Sequence, residues 1–314
     1  MTIYIITAIF IICMAFLYRK VALRYHIFDV PNFRSSHTKP VIRGAGIVFY
    51  IAFLWSQFFF NQQNVFLIFG VSLLAIISFI DDIKSLPAWP RLGFQMVGLT
   101  SMFFEFPLSF ALFLSVVLIS IVIINFYNFI DGINGMLALY SFITVGSLYV
   151  VSLVYNIAEF KNLLLIIGVS IVVFAFFNFR KNAVFFAGDV GSITLGAILL
   201  FIIISLSFQL KSPIILGLLT VCVADTGLTL IKRIKQKKAI LQAHREHVYE
   251  QLTDKSRFSH LQISSLYGVL QLIINTIVVF TIPLTINYQL FILLVLSLVS
   301  CILYFYCNRW LQKI

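Results

Sequence analysis

Eleven continuously apolar stretches divide the chain: residues 2–18, 44–60, 65–80, 92–104, 108–124, 137–155, 163–177, 193–208, 213–230, 263–285 and 290–307. Many come close to the run of about 17 to 25 residues that a hydrocarbon core of roughly 30 Å demands of a helix. None alternates at period two, as the strands of a membrane barrel would. The pattern predicts an all-α polytopic membrane protein of ten or eleven transmembrane helices, forming a single integral-membrane domain over 1–314. Composition agrees, with 61% hydrophobic residues, 11% charged residues and a mean hydropathy of +1.05. A soluble domain of ordinary size has no room between the runs.

Charge orients the runs. No Lys or Arg precedes the first stretch, whereas Arg19, Lys20 and Arg24 follow it, and it lacks a small-residue cleavage pattern. That order predicts an uncleaved anchor with the N-terminus outside and the C-terminus cytoplasmic. The inner segments are then 19–43, 81–91, 125–136, 178–192, 231–262 and 308–314, and they carry 20 of the 22 Lys and Arg residues. Only Lys161 and Lys211 fall outside, as the positive-inside rule requires. The same division puts all five histidines and most of the acids inside; Asp225 alone lies within an apolar run. The four cysteines, all within apolar runs, have no metal-ligand spacing and read as core or lipid-facing residues.

The inner segments carry the candidate chemistry. Asp81 and Asp82 end the third run, where two adjacent carboxylates are tolerable if a cation sits between them or one stays protonated. A helix-terminating polar pair beside Lys84 is the bland alternative. NFYNFIDGINGM (125–136) repeats Asn125, Asn128, Asp131 and Asn134 every three residues, a spacing that keeps neighbours on one helix face. Gly132 and Gly135 allow a turn or the close approach of a ligand. An Asx/Gly turn explains DG and NG but not the two preceding asparagines. In 178–196, Asp189 lies in a Gly-Asp-Val-Gly-Ser turn with Ser192 as a credible N-cap, a place where a carboxylate can hold Mg²⁺ beside an anion. His244 and His247 stand three apart, with Gln251 expected on the same face. Without HExxH or a nearby cysteine, zinc lacks its remaining ligands. IKRIKQKK (231–238) suits anionic lipid. Arg34, His37, Lys39 and Arg43 make the first inner loop basic, with neither a Walker lysine nor GxGxxG.

Carboxylates from three separate inner segments, with basic residues and histidines from three others, form a set suited to a hard cation, Mg²⁺ or Mn²⁺. Such a site among Arg, Lys and His is equipment for phosphoryl transfer on a diphosphate, with a lipid phosphate as one reactant.

The stretches DDIKSLPAWPRLGFQ, NFYNFIDGINGM, AVFFAGDVGSITLG and HREHVYEQL resemble, in that order, the motifs of the polyprenyl-phosphate N-acetylhexosamine-1-phosphate transferases. The resemblance spans residues from about 31 to 252. It implies transfer of a sugar 1-phosphate from a UDP-N-acetylhexosamine to undecaprenyl phosphate, with release of UMP, at the cytoplasmic face of a bacterial plasma membrane. Mg²⁺ is the implied cofactor. The implied partners are the two substrates and membrane lipid, with no nucleic acid; a homodimer is left open. Catalytic roles are implied for Asp81, Asp82, Asp131, His244 and His247. Asn128, Arg91, Arg43, His37 and Arg245 are implied in substrate binding, and Asp189 with Asp131 in metal binding. Two departures set the chain apart from the peptidoglycan member: His-Arg-Glu-His replaces three histidines, and Asn134 stands where that enzyme has a second aspartate. HREHVYEQL and the RSSHTKPVIRGAGI loop look more like the branch that starts O-antigen or capsule-type glycans.

A secondary transporter of a lipid-linked or anionic substrate is the main rival, but it should carry ionisable groups near the bilayer midplane, where only Asp225 lies, with Gln271 and Asn275 as further polar groups. A CDP-lipid phosphatidyl transferase would need more than the DG of DGING. A non-catalytic scaffold gives no reason to gather acids on one face.

Overall fold

The computed structural model describes residues 2–31, 37–60, 64–239 and 244–313; Arg34 lies outside them. All eleven apolar runs fall on helices, named in chain order: α1 (Thr2–Arg24), α2 (Ile47–Phe59), α3 (Val65–Ile83), α4 (Ala88–Phe103), α5 (Phe110–Phe129), α6 (Met136–Val154), α7 (Lys161–Asn178), α8 (Gly188–Gln209), α9 (Thr220–Lys235), a short α10 (Val248–Lys255), α11 (His260–Thr281) and α12 (Ile286–Leu311). A 3₁₀ segment, Pro213–Leu219, leads into α9 and shares its apolar run. Among the described residues, nine helices are long and apolar enough to cross a membrane. The count falls below eleven because two runs form shorter helices. At about 1.5 Å per residue, the 13 residues of α2 reach only about 20 Å. The 16 residues of α4 reach about 24 Å.

α8 is the axis of the bundle. Every residue from Val190 to Leu206 is buried, as expected of a helix apolar on all sides. α3, α5, α2 and α6 pack around it. Close approach between α2 and α8 depends on small residues: a Cβ at Gly46 would lie 2.2 Å from the Cα of Gly191. α12, by contrast, is apolar and mostly exposed, the character of a lipid-facing helix.

Gln271 and Asn275, two buried amide side chains of α11, are paired. Gln271 donates to the carbonyl of Leu218 (2.9 Å) and accepts from the amide of Val221 (3.4 Å), satisfying backbone groups where the 3₁₀ segment meets α9. It also bonds Asn275, which donates to Ser147 on α6 (3.0 Å). These are interhelical hydrogen bonds, so two of the polar groups that a transport pathway would require already have partners within the bundle.

One small antiparallel strand pair, β1 (Phe28–Asp29) with β2 (Val41–Ile42), folds the first inner segment across the end of the bundle. The amide of Phe186 donates to the carbonyl of Ile42 (2.8 Å), and the amides of Ala45 and Gly46 donate to the carbonyls of Phe186 and Ala187 (3.0 Å each). The loop carrying Arg43 is thus stitched to the segment just before α8.

Candidate active site

A cavity of about 770 Å³ opens at this end of the bundle and draws its walls from the first loop, from the segments around Asp81, Asp131 and Asp189, and from the histidine segment, but not from IKRIKQKK. Of the predicted site residues, Asp81, Arg91, Asn128, Asp131, Asp189, His37, Arg43, His244, Arg245 and His247 line it. Asp82 does not.

The first turn of α8 explains the difference between the two adjacent aspartates. The amides of Asp189 and Val190 both donate to the Asp82 carboxylate, at 2.9 and 3.0 Å. Arg43 Nε donates to the same carboxylate at 2.7 Å, and the Asp82 side chain is fully buried. Asp82 therefore caps α8 from α3, meeting the unpaired N–H groups and the positive end of the helix dipole. Ser192, expected as the cap, lies inside the helix, where its hydroxyl donates to Asn128 Oδ1 (2.5 Å) and the carbonyl of Gly188 (3.0 Å). Gly188 has φ +70°, and a Cβ there would meet the Asp82 carboxylate at 2.4 Å.

Asp81 faces the cavity. It accepts from the Leu86 amide (2.5 Å) and from Arg91 Nη1 (2.7 Å), which also reaches Asp189 Oδ2 at 3.1 Å. Arg43 Nη2 approaches Asp189 Oδ1 at 3.5 Å. Asp189 is thus held between two guanidinium groups, each of which also holds one member of the aspartate pair.

The NFYNFIDGINGM stretch divides in two. Helix α5 runs on to Phe129, so Asn125 and Asn128 sit on its last turns, and Asp131 and Asn134 lie in the turn that follows. Asn125 donates to Gln95 Oε1 (2.8 Å). Asp131 has no side-chain hydrogen bond or ion pair among the described residues. Burial first, and then the negative charges of Asp82 and Asp189, lift its pKa well above the usual carboxylate range. Asn134 is taken up by architecture: its amide donates to the carbonyls of Arg180 (2.9 Å) and Lys181 (3.1 Å), and Ser264 donates to its own carbonyl (2.8 Å). Gly132 admits a protein group: a Cβ there would meet the Tyr249 hydroxyl at 2.3 Å.

The histidine segment is likewise not one helical face. Helix α10 starts at Val248 with His247 as its N-cap, so His244 precedes the helix and Gln251 lies within it. The two imidazole rings still lie 4.9 Å apart. Both ring nitrogens of His247, and Nδ1 of His244, are buried without a hydrogen-bond partner. Burial, reinforced by Arg233 and, for His244, by His247, brings each histidine to a pKa of about 4, so both are neutral at pH 7. Burial pushes Glu250 up to about 8. Arg245 pairs with Asp254 (2.8 Å), and His37 Nε2 lies 3.7 Å from Asp29.

His244, His247 and Glu250 place ligand atoms within 4.8 Å of one another, so Glu250 supplies a third metal-ligating group that spacing alone did not reveal. Asp81, Asp131 and Asp189 do not form so compact a trio among the described residues. Arg233 and Lys238, near the histidine end, both pair with Glu246, at 2.6 and 3.0 Å. Sequence reasoning also passed over Gln95, Asn178 and Tyr249. Asn178 accepts from the Gly135 amide (2.7 Å) and donates to the carbonyl of Phe185 (2.8 Å); no spacing marks it.

Residues 64–207 match the model of glycosyl transferase family 4. The match covers a little under half of the chain. The matched segment contains Asp81, Asp82, Asn128, Asp131 and Asp189, and ends before the histidines. A probable undecaprenyl-phosphate N-acetylglucosaminyl 1-phosphate transferase of Bacillus subtilis (strain 168) is 25% identical over 274 residues, covering 79% of this chain and 76% of its own length. A phospho-N-acetylmuramoyl-pentapeptide-transferase of Streptococcus mutans serotype c is 30% identical over 165 residues, 45% of this chain and 48% of its own.

Proposed function

We propose that this chain is a glycosyl transferase of family 4 that transfers N-acetylhexosamine 1-phosphate from a UDP-sugar to undecaprenyl phosphate at the cytoplasmic face of a bacterial plasma membrane. The product starts a lipid-linked surface glycan. The observation that carries this reading is the alternation of carboxylate and guanidinium across the cleft: Asp81, Arg91, Asp189, Arg43 and Asp82 in one connected set, with Asp131 unpartnered beside it.

A lipid phosphate oxygen attacks the sugar-bearing phosphorus, the P–O bond to the nucleotide phosphate breaks, and UMP leaves. No carbon centre changes and no net proton is required, so the protein mainly positions the two phosphates and neutralises their charge. Arg91 and Arg43 pair with carboxylates at the cleft and are placed to turn toward incoming phosphate, for which the guanidinium fork is suited. Asp81, the cavity-facing member of its pair, is the one able to meet the lipid phosphate, while Asp82 acts by holding the first turn of α8. Asn128, fixed by Ser192, and Asp131 form the neighbouring wall. His244, His247 and Arg245 lie where cationic or hydrogen-bonding groups would meet the nucleotide diphosphate, with His37 at the rim.

The donor set fits Mg²⁺, or Mn²⁺: oxygen ligands alone, and in Asp131 a carboxylate whose raised pKa a bound cation would relieve. Asp189 and Asp131 would hold it, and it would supply positive charge to the diphosphate. Purified protein with undecaprenyl phosphate and a panel of tritiated UDP-N-acetylhexosamines (GlcNAc, FucNAc, QuiNAc) tests the reading. UMP release that depends on the lipid and stops with EDTA is expected; release indifferent to EDTA would remove the metal. The O-antigen or capsule branch rests on the HREHVYEQL and first-loop sequences, and the sugar that turns over fastest decides it.

A further inference from the structure

Asp225 lies on α9, buried at 4% exposure, and no lysine or arginine pairs with it among the described residues. A carboxylate within an apolar span is costly and requires a compensating set of contacts. Here Tyr267 donates to Oδ2 at 2.6 Å, the amides of Val248 and Tyr249 donate at 3.0 and 3.4 Å, and Thr229 donates at 3.5 Å. His247 Nδ1 stands 3.9 Å away. The two amides open α10, so Asp225 caps this helix from α9 as Asp82 caps α8 from α3.

The clamp continues to the cleft. Tyr249, held at its amide by Asp225, donates its hydroxyl to the carbonyl of Phe129, and the Tyr249 ring stacks on His247 with centroids 5.7 Å apart. The turn bearing Asp131 packs against the same hydroxyl through Gly132. His247 itself has no hydrogen bond from either ring nitrogen, so its place is set only by the backbone turn and its ring contacts.

We propose that Asp225 is a positioning residue for the nucleotide end of the cleft: by clamping the first turn of α10 it sets His247 and the Asp131 turn against the diphosphate of the nucleotide sugar. The proposal rests on the transferase reading for the identity of that ligand. Asp225→Asn keeps the volume but removes the charge and one acceptor, while Tyr267→Phe removes a single hydrogen bond. Loss of one charge-assisted hydrogen bond corresponds to about tenfold in binding.

The test uses the full-length protein in nanodiscs. In Asp225→Asn, the KM for the UDP-sugar and the Kd for UDP by calorimetry should each rise about tenfold, with the KM for undecaprenyl phosphate unchanged. Amide exchange should rise across 247–252 and stay unchanged across 188–196. Tyr267→Phe should move the same quantities less, and it carries the test if Asp225→Asn does not fold. Equal rises in both KM values, or unchanged exchange with unchanged UDP affinity, would overturn the proposal. If wild type releases no UMP yet binds UDP, and the variants weaken that binding, the transferase reading fails and the positioning role stands.

Discussion

Gly188→Ala probes the junction on which the site depends. A methyl group there would lie 2.4 Å from Asp82 Oδ2 and 2.7 Å from both Cγ and Oδ1, inside van der Waals contact on three atoms. The backbone at φ +70° adds about 1–2 kcal/mol for any residue with a Cβ. Relief requires Asp82 to withdraw from the amides of Asp189 and Val190, and each hydrogen bond to a charged group is worth about 1.5–3 kcal/mol. Allowing for partial relaxation, the first turn of α8 loses about 4 kcal/mol. If half of that loss appears in the transition state, kcat falls about 30-fold. Because Asp189 remains chemically intact, activity should drop without vanishing, and the melting temperature in detergent should fall with it. UMP release and a thermal melt on the same preparation measure both. Wild-type kcat in Gly188→Ala would refute the view that Asp82 acts by holding α8.

Other outcomes follow from the same geometry. Asn134→Asp removes the amide that donates to the carbonyls of Arg180 and Lys181, so it should lower the melting temperature and leave the order of preference among UDP-sugars unchanged; a switch in that order would restore position 134 as a specificity residue. Glu250 has a folded pKa of about 8 against an ordinary value of 4.5, so wild type should lose stability as pH rises from about 5 to 8. Glu250→Gln should lack that loss, and its melting temperature relative to wild type should climb over the same window. His247→Gln should flatten the acid side of the stability profile. A neutral histidine with a folded pKa of about 4 costs stability progressively as pH falls below 6.5.

The helices were legible because lipid imposes a length and an apolar character that the chain displays directly, run by run. Two runs fell short of spanning length: 92–104 is short in the sequence itself, whereas 44–60 loses its first residues to the stitched loop that precedes α2. Among site residues, Asp81, Asn128, Asp131 and Asp189 were found because polar groups at apolar run ends are costly without a purpose. The separate roles of Asp81 and Asp82 were hidden: adjacent positions on a helix point apart, and only the position of α8 decides which carboxylate becomes a cap. Asn134 reads as a substrate clue in sequence, and the structure adds that it lines the cavity while its side-chain amide bonds the carbonyls of Arg180 and Lys181, partners that no spacing reveals. Asp225 showed its cost but not its partners, which come from α10 and α11, more than twenty residues away.

The most direct measurement follows the phosphorus. UDP-N-acetylhexosamine labelled with ³²P at the sugar-bearing phosphate, or separately at the nucleotide phosphate, is given to the wild type and to Asp189→Asn with undecaprenyl phosphate and Mg²⁺. Extraction into organic solvent then reports which phosphate moved. The sugar-bearing label should enter the lipid phase with wild type only, and the nucleotide label should remain in water as UMP. Label retained in water with wild type, or equal lipid labelling by a correctly folded Asp189→Asn, would contradict sugar 1-phosphate transfer at this cleft.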